Sequence, residues 1–349
     1  MSNEELNDRE KNILRFIIQQ FILTANPVGS RNITKRYDIG FSPATVRNIM
    51  SDLEDSGFID HPHTSAGRIP TDKGYRFYVD TLMDVQKLRS SEIGLINKSL
   101  ETNLNETDEL LKMASNLLSS ITHQIACVTY PKLDSGIFEK IQIIQLTSTR
   151  ILVVITIKSG LVKTITLELN SDLKPSQLVP VQQLLNERLS GLSLKEIRET
   201  FKERFKDVEE DQHPIIRLFV DSIDKIFKDD TRGERALITG AKNVIRQPEF
   251  ENPDSFQSII ELIEDKDIII HILEKSGENE QVYISIGSEN ENEKLNEYSF
   301  ISKKYQLGEI SGTLGIVGPK RMEYSKVIAI VDYIAKMISE ILKNEKQRS

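Results

Sequence analysis

The sequence predicts an α+β chain of several domains: a small helical domain at the N-terminus closed by a β-hairpin, then an antiparallel-sheet body interrupted by mainly helical material. Three observations predict it. At 349 residues the chain exceeds one ordinary domain and can bury more than one core. Helix-start and turn signals, Ser42-Pro43 and the small-residue run Thr64-Ser65-Ala66-Gly67, punctuate the first eighty residues. Beyond them the apolar period changes from two to 3.6 residues near Pro175 and later returns to two.

From Leu6 to Thr24 one helix is predicted, with Ile13, Phe16, Ile17, Ile18, Phe21 and Ile22 as its buried stripe. Asn26, Pro27 and Gly29 break it, and Ser30 caps a short second helix to about Tyr37, followed by a turn at Asp38-Ile39-Gly40. The third helix starts at Ser42 as N-cap with Pro43 in the first helical position and ends at Gly57. Val46, Ile49, Met50 and Leu53 form its inward face, which leaves Ala44, Thr45, Arg47, Asn48 and Ser51 outside. A short side chain permits close approach, and arginine and asparagine can bond guanine and adenine edges in a major groove. Two short helices joined by a glycine-containing turn, the second with such a face, form a helix-turn-helix pattern. Small helical bundles also carry polar faces that meet only water, so the pattern is moderately specific.

The next stretch, Phe58 to Thr71, contains two extended pieces, Phe58 to His61 and Arg68 to Pro70, around the tip Thr64, Ser65, Ala66 and Gly67. This is a hairpin with Gly67 available for a positive φ, and Pro62 restricts it to an edge ribbon. A ribbon directly after a recognition helix is the wing of a winged helix, and Arg68 beside its tip suits a phosphate or a narrow minor groove. Thr71 caps a further helix on which Tyr75, Tyr78, Val79 and Leu82 pack. His61 and His63 form an H-x-H pair without an evident third ligand, so no metal is assigned. The net charge of −8 argues against indiscriminate binding to polyanions, yet Arg31, Lys35, Arg36 and Arg47 face only Asp38 in their stretch, with Arg68, Lys73 and Arg76 soon after. The candidate DNA-contacting residues are therefore Arg31, Lys35, Ser42, Ala44, Thr45, Arg47, Asn48, Ser51, Thr64, Ser65, Gly67 and Arg68.

A connecting helix is predicted from about Asp84 to Glu106 and a second helix to about His123. Strands follow at Ile125 to Tyr130, Phe138 to Thr147, Arg150 to Lys158 and Leu161 to Leu169, expected as one antiparallel meander. Helical segments come next, near Pro175 to Leu189, Leu194 to Phe205 and Pro214 to Phe227, with a mixed piece from Arg235 to Phe250. Strands return at Asp267 to Leu273, Gln281 to Ser285, Phe300 to Gln306 and Ser311 to Val317, and a helix from Glu323 to Lys343 closes the sheet or faces a partner. Helical material interrupting a sheet that later resumes is the pattern of an inserted domain.

Composition excludes several classes. The acidic, polar N-terminus lacks the pattern of a secretory signal, and the longest apolar run, Ile151 to Ile157, is too short for a bilayer, so a cytoplasmic protein without a membrane partner is expected. The single Cys127 rules out an internal disulfide and reads as a buried thiol. Gly308, Gly312, Gly315 and Gly318 read as a loop without the spacing of a dinucleotide fingerprint, and no P-loop, G-x-S-x-G or H-E-x-x-H occurs. Asp229-Asp230 and Glu209-Glu210-Asp211 are read as solvated loop charge rather than paired catalytic acids. No cofactor and no enzymatic activity are expected.

SPATVRNIMSDLEDSGFI followed by HTSAGRIPTDKGYRFYVD closely resembles the signature of the bacterial heat-inducible transcription repressors of the HrcA family, and NVIRQPEF and GTLGIVGPKRMEYSKVI extend the likeness toward the C-terminus. The resemblance implies a winged helix, a GAF-like domain and a dimerising domain inserted in the latter; laid on the elements above, these fall at 1–83, at 107–171 with 253–345, and at 172–252, with the connecting helix over 84–106 as a linker. It also implies a homodimer that binds an inverted-repeat operator upstream of chaperone genes, is released on heat stress, and depends on the GroEL-type chaperonin. Two rivals stay open: a regulator whose central domain senses a metabolite, and an enzyme with an accessory winged helix.

Overall fold

Short polar side chains that accept the free amides of a first helical turn set where the helices begin. The computed structural model describes residues 6–38, 40–62, 67–100, 107–169, 175–208, 214–228, 236–276 and 281–346. In it Asn7 accepts from the amides of Arg9 and Glu10 and opens α1 (Asp8–Thr24), while the Glu10 carboxylate accepts from the Asn7 amide. Next come α2 (Ser30–Arg36) and α3 (Pro43–Asp55), the latter capped by Ser42. Strand β1 (Ile59–Asp60) pairs antiparallel with β2 (Ile69–Pro70). Thr71 then caps α4 (Asp72–Phe77), which runs into a π-helical turn, Tyr78–Leu82.

The chain continues through α5 (Ser90–Leu100), α6 (Thr107–Thr122), β3 (Ile125–Thr129), β4 (Phe138–Gln145), β5 (Arg150–Ile157) and β6 (Val162–Glu168). Helices α7 (Pro175–Leu189), α8 (Leu194–Arg204), α9 (Pro214–Asp221) and α10 (Ile223–Phe227) follow. Last are β7 (Ala236–Thr239), α11 (Ala241–Val244), α12 (Pro253–Glu264), α13 (Lys266–Ser276), β8 (Tyr283–Ile286), β9 (Tyr298–Leu307), β10 (Ile310–Pro319) and α14 (Tyr324–Lys346).

Contacts divide the chain into two units. The first comprises Met1–Val128, Ala236–Lys304 and Leu314–Met337. It holds the N-terminal helices and hairpin and most of a five-stranded sheet in the order β7-β3-β10-β9-β8, in which β10–β3 and β8–β9 are antiparallel. Ile125, Cys127, Phe300 and Val317 of this sheet join Ile259 and Leu262 of α12 and Ile269 and Leu273 of α13 in one buried cluster. Burial without a partner charge pushes the Cys127 thiol up, which fits an inert core residue.

Helix α4 is seated on the loop after β8. Arg76 donates from Nε to Glu289 Oε1 (2.7 Å) and from Nη2 to the Ile284 carbonyl (2.9 Å), and the Asp72 carboxylate accepts from the Ser288 amide (2.8 Å) and lies 3.0 Å from Lys320 Nζ. Gly287, at φ 54°, stands where any side chain would overlap the Asp72 carboxylate. Burial pushes the Asp72 carboxyl up, but the Ser288 N–H and the Lys320 ammonium outweigh it and hold it below its ordinary value. The stability this carboxylate adds is therefore present above the unfolded carboxyl range and is lost as pH falls through the lowered one.

The second unit comprises Thr129–Arg235, Tyr305–Thr313 and Ile338–Ser349. Its sheet is the meander β4-β5-β6, with Phe138, Ile141, Ile143, Ile151, Val153, Ile155, Ile157, Ile165 and Leu167 buried on alternate positions. Helix α7 closes the free edge of β4. Asn186 exchanges bonds with both backbone groups of Ile141 (2.8 and 3.0 Å), and Gln182 accepts from the Ile143 amide (2.9 Å). Side-chain amides thus stand in for a missing strand, which keeps the edge from pairing with another chain. Phe201 of α8 stacks on Phe205, with Phe219 and Phe227 also within ring contact.

Several expectations need correction. Ser30 is the first residue of α2, and Gly29 occupies the cap position. Residues 83–89 are not helical: the Gln86 amide donates to Ser325 Oγ and the Asp84 carbonyl accepts from it, so this backbone is committed to the start of α14, and α5 begins at Ser90. Asp267–Leu273 lies in α13 and not in a strand. In its DIIIHIL run, Ile269, Ile270 and Leu273 share one buried helical face while Asp267 and His271 are exposed. Strand β3 belongs to the five-stranded sheet and not to the meander. Gly312, Gly315 and Gly318 lie within β10, where added Cβ atoms would meet Tyr305, Ser302 and Gln124 respectively. Pro214–Phe227 is broken at Ser222 into two helices, and α12, with its Asn252-Pro253 cap, was not anticipated. The apolar residues of α14 are turned inward: Val327, Ile330, Val331 and Ile334 are buried, which favours the sheet-closing reading over a partner.

Asn290 fixes the loop on which α4 sits: its Nδ2 donates to the carbonyls of Gly287, Leu295 and Tyr298 (2.8–3.2 Å) and its Oδ1 accepts from Ser285 Oγ (2.7 Å). Asn290→Ala leaves these buried groups without their partner and is expected to lower stability by about 2–3 kcal/mol in urea unfolding.

Candidate nucleic-acid interface

Helix α3 is held from behind by α1 and α2, both of which pack on it. Val46, Ile49, Met50 and Leu53 are buried with Ile13, Leu14, Ile17 and Ile18 of α1 and Ile33 of α2. The opposite face is therefore fixed outward, and Ser42, Ala44, Arg47, Asn48 and Ser51 are exposed on it. Thr45 is half-buried. Its amide (3.1 Å) and hydroxyl (3.0 Å) are both bonded to Ser42 Oγ, so these two residues are already engaged in the helix cap. On α2, Arg31, Lys35 and Arg36 are exposed. The connection between the helices is braced by Phe16 stacked on Tyr37 at 4.0 Å and by the Arg9 guanidinium over Phe41 at 5.4 Å. The surroundings are not uniformly basic, because Asp38, Asp52, Asp55 and Asp60 are exposed as well.

The hairpin is fastened at its base on both sides. Arg68 exchanges two backbone bonds with Val28 (2.8 and 2.9 Å), in addition to the β1–β2 pairing. This explains Gly67 differently from the expectation of a positive φ. The glycines of this region in that conformation are Gly40 (67°) and Gly57 (74°), whereas a Cβ on Gly67 would stand 2.5–2.7 Å from the Val28 backbone. Gly67 is small so that two chains can approach. Phe58 meets Phe77 edge-on at 5.3 Å, which ties the hairpin to α4.

The basic residues of this region do not all point to solvent. Arg68 lies against α3: its Nε and Nη2 are each 2.6 Å from Glu54 Oε2. The other Glu54 oxygen bonds His61 Nδ1, and Asp60 Oδ1 lies 3.7 Å from the same nitrogen. His61 thus has two carboxylates beside it, one of them seven residues away, a neighbourhood no sequence motif announced; with Glu54 already paired to Arg68, the cluster reads as an ion-pair network. Lys73 donates to the Ser56 carbonyl (2.7 Å) and sits 4.4 Å from the Phe58 ring centroid, and Arg76 is taken up by Glu289. Thr64 and Ser65 of the expected tip, with His63 and Ala66, lie outside the described residues, as do Ile39, Glu209-Glu210-Asp211 and Asp229-Asp230.

Residues 108–328 match the family model described as HrcA protein C terminal domain. The heat-inducible transcription repressor HrcA of Chlorobium phaeobacteroides (strain BS1) is 40% identical over 352 residues, spanning 98% of this chain and 100% of that protein. The protein of the same name from Prosthecochloris aestuarii is 41% identical over 349 residues, spanning 97% and 98%. Among solved structures, the crystal structure of a hypothetical protein at 2.2 Å resolution aligns with a TM-score of 0.60 at 25% identity, over 97% of this chain and 99% of that one.

Gly67→Ala is expected to cost about 1–3 kcal/mol, because the new methyl must push β2 away from Val28. A melting midpoint equal to wild type would overturn close approach to Val28 as the reason for glycine at this position.

Proposed function

The chain belongs to the HrcA family of heat-inducible transcription repressors, and from that premise we propose that it represses transcription by occupying promoter DNA with α3 in the major groove. The observation that carries this reading is the outward face of α3, with Arg47 and Asn48 exposed beside Ala44 and Ser51 on a helix whose other face is buried. A bidentate arginine or asparagine contact to a base edge discriminates by about 1–3 kcal/mol. Arg31 and Lys35 on α2 are suited to flanking phosphates, and the β1–β2 hairpin to the wing of a winged helix. Thr64, Ser65, Gly67 and Arg68 belong to the same proposed surface. The overall negative charge leaves little non-specific attraction, so affinity has to come from this one face.

Two such faces are needed for an inverted repeat, and we assign pairing of two copies to the second unit. The outward face of its meander carries Ile144 and Val162, 47% and 57% exposed, beside the half-buried Leu152 and Val154 of the central strand. Ile144 is opposite Leu152, while Val154 is opposite Gln142 and Thr164, and Val162 is opposite Thr156. Four aliphatic side chains on a face shared with Gln142, Thr164 and Thr166 suit contact with a second copy. The five-stranded sheet with its helices is taken as the GAF-like domain. Release on heating then follows from loss of folded or dimeric protein, and the GroEL-type chaperonin would act by raising the folded fraction.

A second reading, metabolite sensing, is favoured by one observation: a cleft of about 660 Å³ lined by Asp267, His271, Tyr283, Ser285 and Asn292. A rise in melting temperature with a cellular metabolite would support it.

Two outcomes are expected. In fluorescence anisotropy Arg47→Ala loses about tenfold or more in affinity for a chaperone-promoter inverted repeat and keeps its weak affinity for a scrambled duplex. Equal binding of wild-type protein to both duplexes, with chaperonin present, would sink the repressor reading. Leu152→Asp is expected to give monomers by light scattering, and a dimer in that variant would move the interface elsewhere.

A further inference from the structure

We propose that Glu54 controls the availability of Arg68 to a DNA phosphate, and that protonation of His61 relieves this control; the inference rests on the reading of α3 and the hairpin as the DNA-binding surface. The backbone of Arg68 is locked to Val28 on both its N–H and C=O, so only its side chain can respond to a ligand. That side chain is 29% exposed, open enough for a phosphate to reach, yet two of its nitrogens are spent on one carboxylate oxygen.

The charges around this pair come from each element packed there. Helix α3 supplies Glu54, β1 supplies Asp60 with His61 directly after it, and Arg68 leads into β2. From α4 the nearest ammonium, Lys73, is bonded to the Ser56 carbonyl. With a neutral imidazole, Glu54 facing Arg68 and Asp60 beside His61 leave the cluster with two carboxylates to one guanidinium, and a phosphate brought to Arg68 meets net repulsion. With an imidazolium the charges balance, and Glu54 has a second cation to hold when Arg68 turns to the phosphate. An imidazole is the ordinary side chain that changes charge between pH 5 and 8.

DNA binding is therefore coupled to proton uptake at His61. By linkage one proton taken up steepens affinity by at most about tenfold per pH unit, in the direction of tighter binding at lower pH. A half-exposed ion pair gives less than this limit, and we expect roughly three- to tenfold weaker binding at pH 8 than at pH 6.

The test is the pH dependence of affinity for the inverted-repeat duplex at constant ionic strength, read by anisotropy for wild type, His61→Gln, Glu54→Gln and Arg47→Ala. His61→Gln keeps a donor for Glu54 without titrating and, at 43% side-chain exposure, is not needed for the core. It should flatten the profile at the weaker, high-pH affinity. Glu54→Gln should bind several-fold more tightly than wild type at pH 8 and also lose the slope. A full slope retained in His61→Gln, or a Glu54→Gln variant that melts like wild type but binds no tighter, overturns the proposal. Sequence-selective binding with a flat wild-type profile overturns this inference alone, whereas wild type binding no better than Arg47→Ala removes the DNA-binding reading and this inference with it.

Discussion

The charged seat of α4 is the interaction on which the first unit depends. Arg76 and Asp72 lie one helical turn apart and reach a single loop, 287–290, that is rigid because Asn290 gathers three of its neighbouring carbonyls. An ion pair with both members partly exposed contributes little by itself, but one that also bonds a carbonyl and an amide fixes an orientation. Through Phe58 and Phe77 the same helix fixes the hairpin, and through Arg68 and Val28 the hairpin fixes the chain between α1 and α2. The presentation of α3 is thus the last link of a chain of contacts that begins in the sheet.

Charge in this protein is used locally. An acidic chain has weak long-range attraction for nucleic acid, so exposed cations matter in proportion to how few are already paired. Arg76 and Arg68 are each paired to a carboxylate and Lys73 to a carbonyl, whereas Arg31, Lys35, Arg36 and Arg47 are exposed, so within the proposed surface Arg68 must leave a carboxylate to meet DNA. Composition had grouped all of these residues together; their partners separate them into structural and available sets.

The second unit solves a different problem, that of a three-stranded sheet with an open edge. Asn186 and Gln182 meet the amides of β4 at strand-like distances, so this edge is closed while one face, with Ile144 and Val162 exposed on it, stays open. A sheet whose β4 edge is covered can pair through its open face without inviting strand addition at that edge.

The sequence by itself determined the elements whose signals are local. Ser42-Pro43, the inward spacing of Val46, Ile49, Met50 and Leu53, the hairpin of Phe58 to Pro70 and the alternation of β4 to β6 all depend on residues within one turn or one strand of each other. What sequence left undecided depends on contacts across long separations. The DIIIHIL run suits a strand or a buried helix equally until its neighbours supply the face to be covered, and β3 joins β10 because residues nearly two hundred positions apart carry the matching edge. From sequence Gly67 suits a positive φ at a hairpin tip and Arg68 suits a phosphate; the tertiary structure makes the first a close crossing with Val28 and the second the partner of Glu54. Local stereochemistry is written in neighbouring residues, but pairing of charges and strands is decided only where the folded chain brings distant groups within a few ångströms.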